Sequence, residues 1–237
     1  LNSLLNLNWL YIDPEGTLWE IGKKGKIFRY DHIHDTFELV YRLPIEDFRD
    51  LPAPISFSWI DRNNHIWLCN EETIFLYNTC TGQVTQVKNS LSEAINDIEQ
   101  IDESHFFIGT EVGIHHAQLK DNTLQLLPCD KLDNVNIQVN DLHFDPKIRK
   151  LFIGAFQRGI MVYDMKTKMV TQPEVSLKDV SISRIKPLNA KELLIATDGG
   201  GIYKMNVETY QTEPFIVADY NSYNGMNGNS INDIYID

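Results

Sequence analysis

The residues best equipped to hold a ligand lie in polar segments between apolar ones. Phe156-Gln157-Arg158 places an aromatic ring, an amide and a guanidinium in one short turn. A sugar asks for this mixture, with a ring for its C–H face and planar polar groups for its hydroxyls. Asp219-Tyr220-Asn221-Ser222-Tyr223-Asn224 offers two tyrosines and two amides. Lys23, Lys24 and Arg158 could pair with sulfate or uronate groups if the ligand is acidic. Asp198 opens a further polar turn before Gly199-Gly200-Gly201. Lys23, Lys24, Phe156, Gln157, Arg158, Asp198, Tyr220 and Tyr223 are therefore the candidate ligand-binding residues.

Other chemistry finds less support. No carboxylate pair stands out as general acid and base, so no catalytic residue is assigned. His32-x-His34 and His115-His116 lack a third ligand, so no metal is expected, and no cofactor either. Asp13, Asp61 and Asp145 share one column before a turn and read as turn formers. The three cysteines, Cys69, Cys80 and Cys129, contain no CxxC. That argues against a disulfide framework or zinc knuckle, leaving one bridge plus a free thiol as an alternative. The 33 acidic and 21 basic side chains give a net charge of −12. Such a balance argues against a nucleic-acid surface. No apolar run approaches the ~18 residues of a membrane span, and Leu1 to Tyr11 lacks the marks of a signal peptide.

The elements that position these residues emerge from a repeat. One unit reads Asn8-Trp9-Leu10-Tyr11-Ile12-Asp13, then Thr17-Leu18-Trp19-Glu20-Ile21, then Ile27-Phe28-Arg29-Tyr30. Later units are anchored at Ser56, Asn96, Asn140 and Ser183, and a sixth opens at Asn232. The anchors are 48, 40, 44, 43 and 49 residues apart. From anchor to the bulky residue of the second segment (Trp19, Trp67, Phe107, Phe152, Leu194) is 11, 11, 11, 12 and 11 residues. Variation gathers at the unit ends, where loops tolerate insertion.

Each unit holds short period-two segments and no helical stripe. A fourth segment follows the first three, as in Phe37 to Tyr41 and Gln83 to Val87. Four antiparallel strands per repeat predict an all-β fold, a β-propeller of four-stranded blades. The blades are expected at about 1–50, 51–91, 92–135, 136–178 and 179–228, with the first strand of a sixth at 229–237. The bulky column is expected to fill the wedge between blades. A second column, Ile21, Cys69, Gly109, Gly154 and Ala196, is mostly small and should let neighbouring sheets approach. Gly25, Gly113, Gly159 and Gly201 read as turn glycines with positive φ.

The units resemble the two-component regulator propeller repeat, N-x-[IV]-x-x-[IL]-x-x-D-x-x-G-x-[LI]-W-[IL]-G-T-x-x-G-G-[IL]-x-x-Y-[DN]. The resemblance is carried by Asp13-Pro14-Glu15-Gly16-Thr17-Leu18-Trp19, Ile108-Gly109-Thr110, Val162-Tyr163-Asp164 and Asp198-Gly199-Gly200-Gly201-Ile202-Tyr203. The lead-in Asn229-Ser230-Ile231-Asn232-Asp233-Ile234 belongs to the same pattern. The third unit lacks the Trp and the final Tyr, and the fifth lacks the Asp-x-x-Gly turn.

The resemblance implies the periplasmic sensor region of a hybrid two-component histidine kinase/response regulator. It implies two seven-bladed propellers, a sandwich domain, a membrane helix and a kinase in one polypeptide, responding to an oligosaccharide and regulating glycan use. This chain has none of the kinase motifs, so it is expected to be non-enzymatic. Its implied partners are the oligosaccharide, the remaining propeller and sandwich domains, and a homodimer as a further option. Membrane attachment would come only through a downstream helix. A stand-alone propeller glycan lyase or glycosidase and a protein-interaction platform are the alternatives.

In a four-stranded meander, the turn between strands two and three shares a face with the connections between blades. Those connections are Leu43 to Pro54, Lys88 to Ala94, Asp130 to Gln138, Val175 to Asp179 and Asp219 to Asn229. The candidate residues fall in these two sets of loops. Five blades could close, but the last motif stops before its Gly turn and Leu-Trp strand. Part of a seven-bladed ring of roughly 315 residues is therefore the expectation.

Overall fold

In a computed structural model the described residues are 9–22, 24–43, 55–70, 73–129, 131–132, 135–173, 177, 179–218, 226 and 228–236. All regular structure among them is strand. The first meander is β1 (Trp9–Ile12), β2 (Leu18–Gly22), β3 (Lys26–Asp31) and β4 (Thr36–Arg42). The second is β5 (Phe57–Ile60), β6 (His65–Cys69), β7 (Thr73–Asn78) and β8 (Val84–Lys88). The third is β9 (Ile95–Gln100), β10 (His105–Thr110), β11 (Ile114–Lys120) and β12 (Thr123–Leu127). Then come β13 (Val139–Asp145), β14 (Lys150–Ala155), β15 (Gly159–Asp164) and β16 (Met169–Thr171). The last is β17 (Ile182–Pro187), β18 (Glu192–Thr197), β19 (Gly201–Asn206) and β20 (Thr212–Ile216). In each meander sequential strands are neighbours. These are the four-stranded antiparallel blades of a β-propeller.

The described residues fall into two compact units. One lies within Leu1–Ile95, Asp102–His105 and Ala117–Leu126, the other within Asn96–Ile101, Phe106–His116 and Leu127–Asp237. In the first unit, β8 and β12 meet through one parallel pair, Thr123 opposite Lys88.

The bulky column is core. Trp19, Trp67, Phe107, Phe152 and Leu194 are all buried. The small column does what its size allows. A Cβ on Gly109 would stand 2.5 Å from Val139 Cγ1, and one on Gly154 would stand 2.7 Å from Ile182 Cγ2. The first strand of the following blade therefore lies directly against each glycine. Cys69, in the same column, is buried, and burial pushes its thiol pKa far up, so it is a packing residue.

One glycine departs from expectation. Gly25, Gly159 and Gly201 have φ of 66°, 68° and 84°, but Gly113 is not in the left-handed region. A Cβ there would stand 2.9 Å from the Val135 carbonyl oxygen, so its glycine serves close approach and not turn conformation. The connections also differ from purely polar loops. Leu43, Leu91, Leu132 and Leu177 are buried, and Leu132 and Leu177 join the second unit's core clusters. At the sixth repeat, Ser230 bridges Asp198, and residues 231–236 form no ladder.

Candidate functional site

The turn joining β14 and β15 and the turn joining β18 and β19 are built against one connection. Gln157 N donates to Ser181 Oγ (3.0 Å), and Asp198 N donates to the Ser181 carbonyl (2.9 Å). Phe156 N donates to the Gln138 carbonyl and Gly159 N to that of Val180. Ser181 thus ties together two of the turns singled out in the sequence. Phe156, Gln157, Arg158 and Asp198 are exposed, Phe156 to 44%. The Asp198 carboxylate accepts from Ser230 Oγ. Arg158 makes no ion pair among the described residues, while its carbonyl accepts from Gln172 Nε2. An aromatic face, an amide, a guanidinium and a carboxylate therefore stand on neighbouring loops.

The remaining candidates are not joined to that patch. Lys24 is exposed in the β2–β3 turn of the first unit. Lys23, Tyr220 and Tyr223 lie outside the described residues, as does most of Asp219 to Asn229. No cluster of His, Cys, Asp or Glu suited to a metal occurs among the described residues. His34 Nδ1 instead sits 2.6 Å from Asp31. All three cysteines are free thiols.

Two devices that hold the scaffold were not anticipated. In the first unit the turn-forming aspartates also clamp the tryptophans six residues later. Asp13 accepts Thr17 N through Oδ1 (2.7 Å) and Trp19 Nε1 through Oδ2 (2.8 Å). Asp61 accepts Asn63 N and His65 N through Oδ1 (both 2.8 Å) and Trp67 Nε1 through Oδ2 (2.9 Å). Burial raises the Asp61 pKa, but the His65 and Trp67 hydrogen bonds outweigh it and hold the carboxyl below its usual range. Asp145 keeps only the turn, accepting Lys147 N and Ile148 N, because the residue six further on is Leu151.

In the second unit the lead-in residues clasp the next blade. Asn96 Nδ2 donates to the Val139 carbonyl and Asn140 Nδ2 to that of Ile182, each at 2.8 Å. Beside them, Asp97 Oδ2 accepts Leu142 N (2.7 Å) and Asp141 Oδ2 accepts Ile185 N (2.6 Å). Glu99 Oε1 likewise accepts Phe144 N at 3.0 Å. The ladder register shifts between Val139 and Asp141 and again between Ile182 and Arg184, at Asn140 and Ser183. A bulged residue re-aims its side chain, which frees these anchors to reach outward.

Arg184 stands where the third, fourth and sixth copies have Asp97, Asp141 and Asp233. Its Nη1 donates to Asp141 (2.7 Å) and its Nε to Asp233 (2.9 Å). Burial, only partly offset by Arg184, raises the Asp141 pKa to about 6. Burial and then the charges of Asp141 and Glu99 hold Asp97 well above the usual carboxylate range. These carboxylates are spent on backbone amides and the guanidinium, which describes a structural seam and not an acid–base pair.

Comparison with known proteins places the fold. No family model matches the chain, and no curated protein matches it. Among solved structures, the extracellular domain of the BT3049 system of B. thetaiotaomicron, described as a hybrid two component system, matches all of the chain with 21% identity and a TM-score of 0.71. The extracellular domain of the BT4673 system, described as a one component system, matches all of it with 18% identity and a TM-score of 0.63. The chain shares their fold. It spans about a third of their length, 32% and 36% respectively. Saccharomyces cerevisiae Sqt1 matches 86% of the chain and 71% of its own length, with 14% identity and a TM-score of 0.59. The fold alone is therefore shared widely and does not define a ligand.

Proposed function

We propose that this chain is part of a periplasmic ligand-sensing propeller in a hybrid two-component signalling protein, responding to an oligosaccharide and carrying no catalysis itself. The observation that carries the reading is structural agreement, over the whole of this chain, with the extracellular domains of two bacterial systems, one described as hybrid two component and the other as one component, together with repeats of the regulator type. The output machinery, a histidine kinase beyond a membrane helix, would lie elsewhere in the polypeptide. The ligand patch is Phe156, Gln157, Arg158 and Asp198, joined through Ser181. Lys23, Lys24, Tyr220 and Tyr223 remain candidates for the same role.

Further polypeptide packed on the first blade fits its outer face. Leu10, Glu20, Phe28 and Leu39 are cross-strand partners on that face, with Leu10 61% and Leu39 51% exposed. A neighbouring blade of the expected seven-bladed ring would cover them.

A panel of neutral, uronate and sulfated oligosaccharides tests the reading by thermal shift and product analysis. A sensor is stabilised by one class without turnover, and Phe156→Ala/Arg158→Ala removes the shift. Product formation would favour the lyase or glycosidase alternative. Unchanged stabilisation of the double variant would remove this turn from the site.

A further inference from the structure

The second unit contains a cavity of about 340 Å³ that lies apart from the Phe156–Asp198 patch. Its walls are Phe107, His116, Tyr163 and Met165, and its cationic groups are Lys131 and Lys168. The rings are arranged around one another. Phe107 lies 5.4 Å from the His116 ring in a tilted pair and 6.1 Å from Tyr163 edge to face. Met165 adds a polarizable thioether that adapts to a flat partner.

Polar groups at the cavity are few and specific. Cys129 Sγ donates to Tyr163 Oη at 3.4 Å, so the phenol acts there as acceptor and its own proton is not used in that bond. Burial holds the Tyr163 hydroxyl well above its usual pKa, so it stays protonated. The charge at the lining runs against the rest of the molecule. In a chain with 33 acidic and 21 basic side chains, the described residues that line the cavity include two lysines and no carboxylate.

We infer that this cavity is a binding site for a small aromatic carboxylate, its ring held among Phe107, His116, Tyr163 and Met165 and its carboxylate by Lys131 and Lys168. The volume lies at the low end of small-molecule sites and suits one or two fused rings. A flat apolar ring matches aromatic walls through offset and edge contacts. The two ammonium groups and the phenol proton supply donors for a carboxylate, which accepts at both oxygens. A sugar ring fits less well, because walls of Phe, Tyr and Met leave most of its hydroxyls unpaired. The inference does not depend on the oligosaccharide reading, since it concerns different residues.

Titration calorimetry of the whole chain with phenylacetate and indole-3-acetate tests it. Phenylacetamide keeps the ring without the charge, and glucuronate keeps the charge without an aromatic ring. The expected result is saturable binding of the two aromatic acids, at least tenfold weaker for the amide, and none for glucuronate. Lys131→Gln/Lys168→Gln, with both positions exposed, should weaken the acids at least tenfold while leaving the unfolding midpoint unchanged. Absence of saturable binding by either acid overturns the inference. Equal affinity for acid and amide, with no effect of the lysine substitutions, overturns it too. Equal binding of glucuronate would discard the aromatic part.

Discussion

The two units stabilise the same blade in different ways. In the first, Asp13 and Asp61 each fasten a buried tryptophan of their own blade. In the second, where the bulky column is Phe107, Phe152 and Leu194, no indole is available, and Asn96, Asp97, Asn140 and Asp141 reach into the following blade. The repeat pattern contains both instructions, an Asn-rich lead-in and an Asp-x-x-Gly-x-Leu-Trp turn. The third copy, which lacks the tryptophan, retains Asn96-Asp97, whereas the fifth has Ser183-Arg184 in the lead-in and no Asp-x-x-Gly turn. The difference shows in electrostatics as well. The Asp61 carboxyl is more acidic than usual, while Asp97 and Asp141 are less so.

The largest effect that can break this comparison is in the first unit. Trp67→Ala removes a fully buried ring and leaves the buried Asp61 without its indole donor. It should cost about 3–5 kcal/mol, read from urea unfolding. Trp67→Phe combined with Asp61→Asn in a double-mutant cycle isolates the clamp. No coupling between them would mean the hydrogen bond adds nothing beyond packing. In the second unit, Arg184→Met should cost less, about 1–3 kcal/mol, because Asp141 keeps the Ile185 amide while losing the guanidinium. A cost as large as that of Trp67→Ala would put the seam on a par with the core.

The pH dependence sharpens the contrast. Asp141 has its folded pKa raised to about 6, so its contribution is full below the unfolded value and is lost as pH rises through about 6. Asp97 acts in the same direction. Asp61 is depressed, so its contribution is present above the unfolded carboxylate pKa and lost as pH falls through the folded one. Asp141→Asn should flatten the decline in stability between about pH 4 and 6. Asp61→Asn should flatten the acid limb instead. The same profile in both variants would refute the distinction. The smallest effect expected is from Asn140→Ala, about 1 kcal/mol for the lost bond to the Ile182 carbonyl.

Much of the architecture was legible because packing repeats at fixed offsets. A tryptophan 11 residues after an anchor, and a glycine two residues beyond Phe107 or Phe152, can only mean a shared register. The seam was harder to read, since a carboxylate that accepts an amide 45 residues away leaves no local pattern. One signal was present in the sequence: from the third copy on, this column reads Asp97, Asp141, Arg184 and Asp233. An inverted charge between two like ones marks a pair across copies. The misreading of Gly113 has a similar origin, because the nearby Val135 carbonyl belongs to a connection whose path the sequence does not specify. The candidate patch was half legible. Hairpin position puts Phe156 and Asp198 on turns, but only the fold puts Ser181 between them.

The lead-in clasps have one more consequence. Asn96, Asp97, Asn140 and Asp141 bind peptide groups, which every residue type except proline presents alike. A unit held this way can be duplicated, deleted or exchanged without matching changes in the sequence of its neighbour. Arg184 is the exception, because it requires the side chains of Asp141 and Asp233 on either side. It gives the fifth unit an address, so gene rearrangements that shuffle the other copies freely would be penalised at this one.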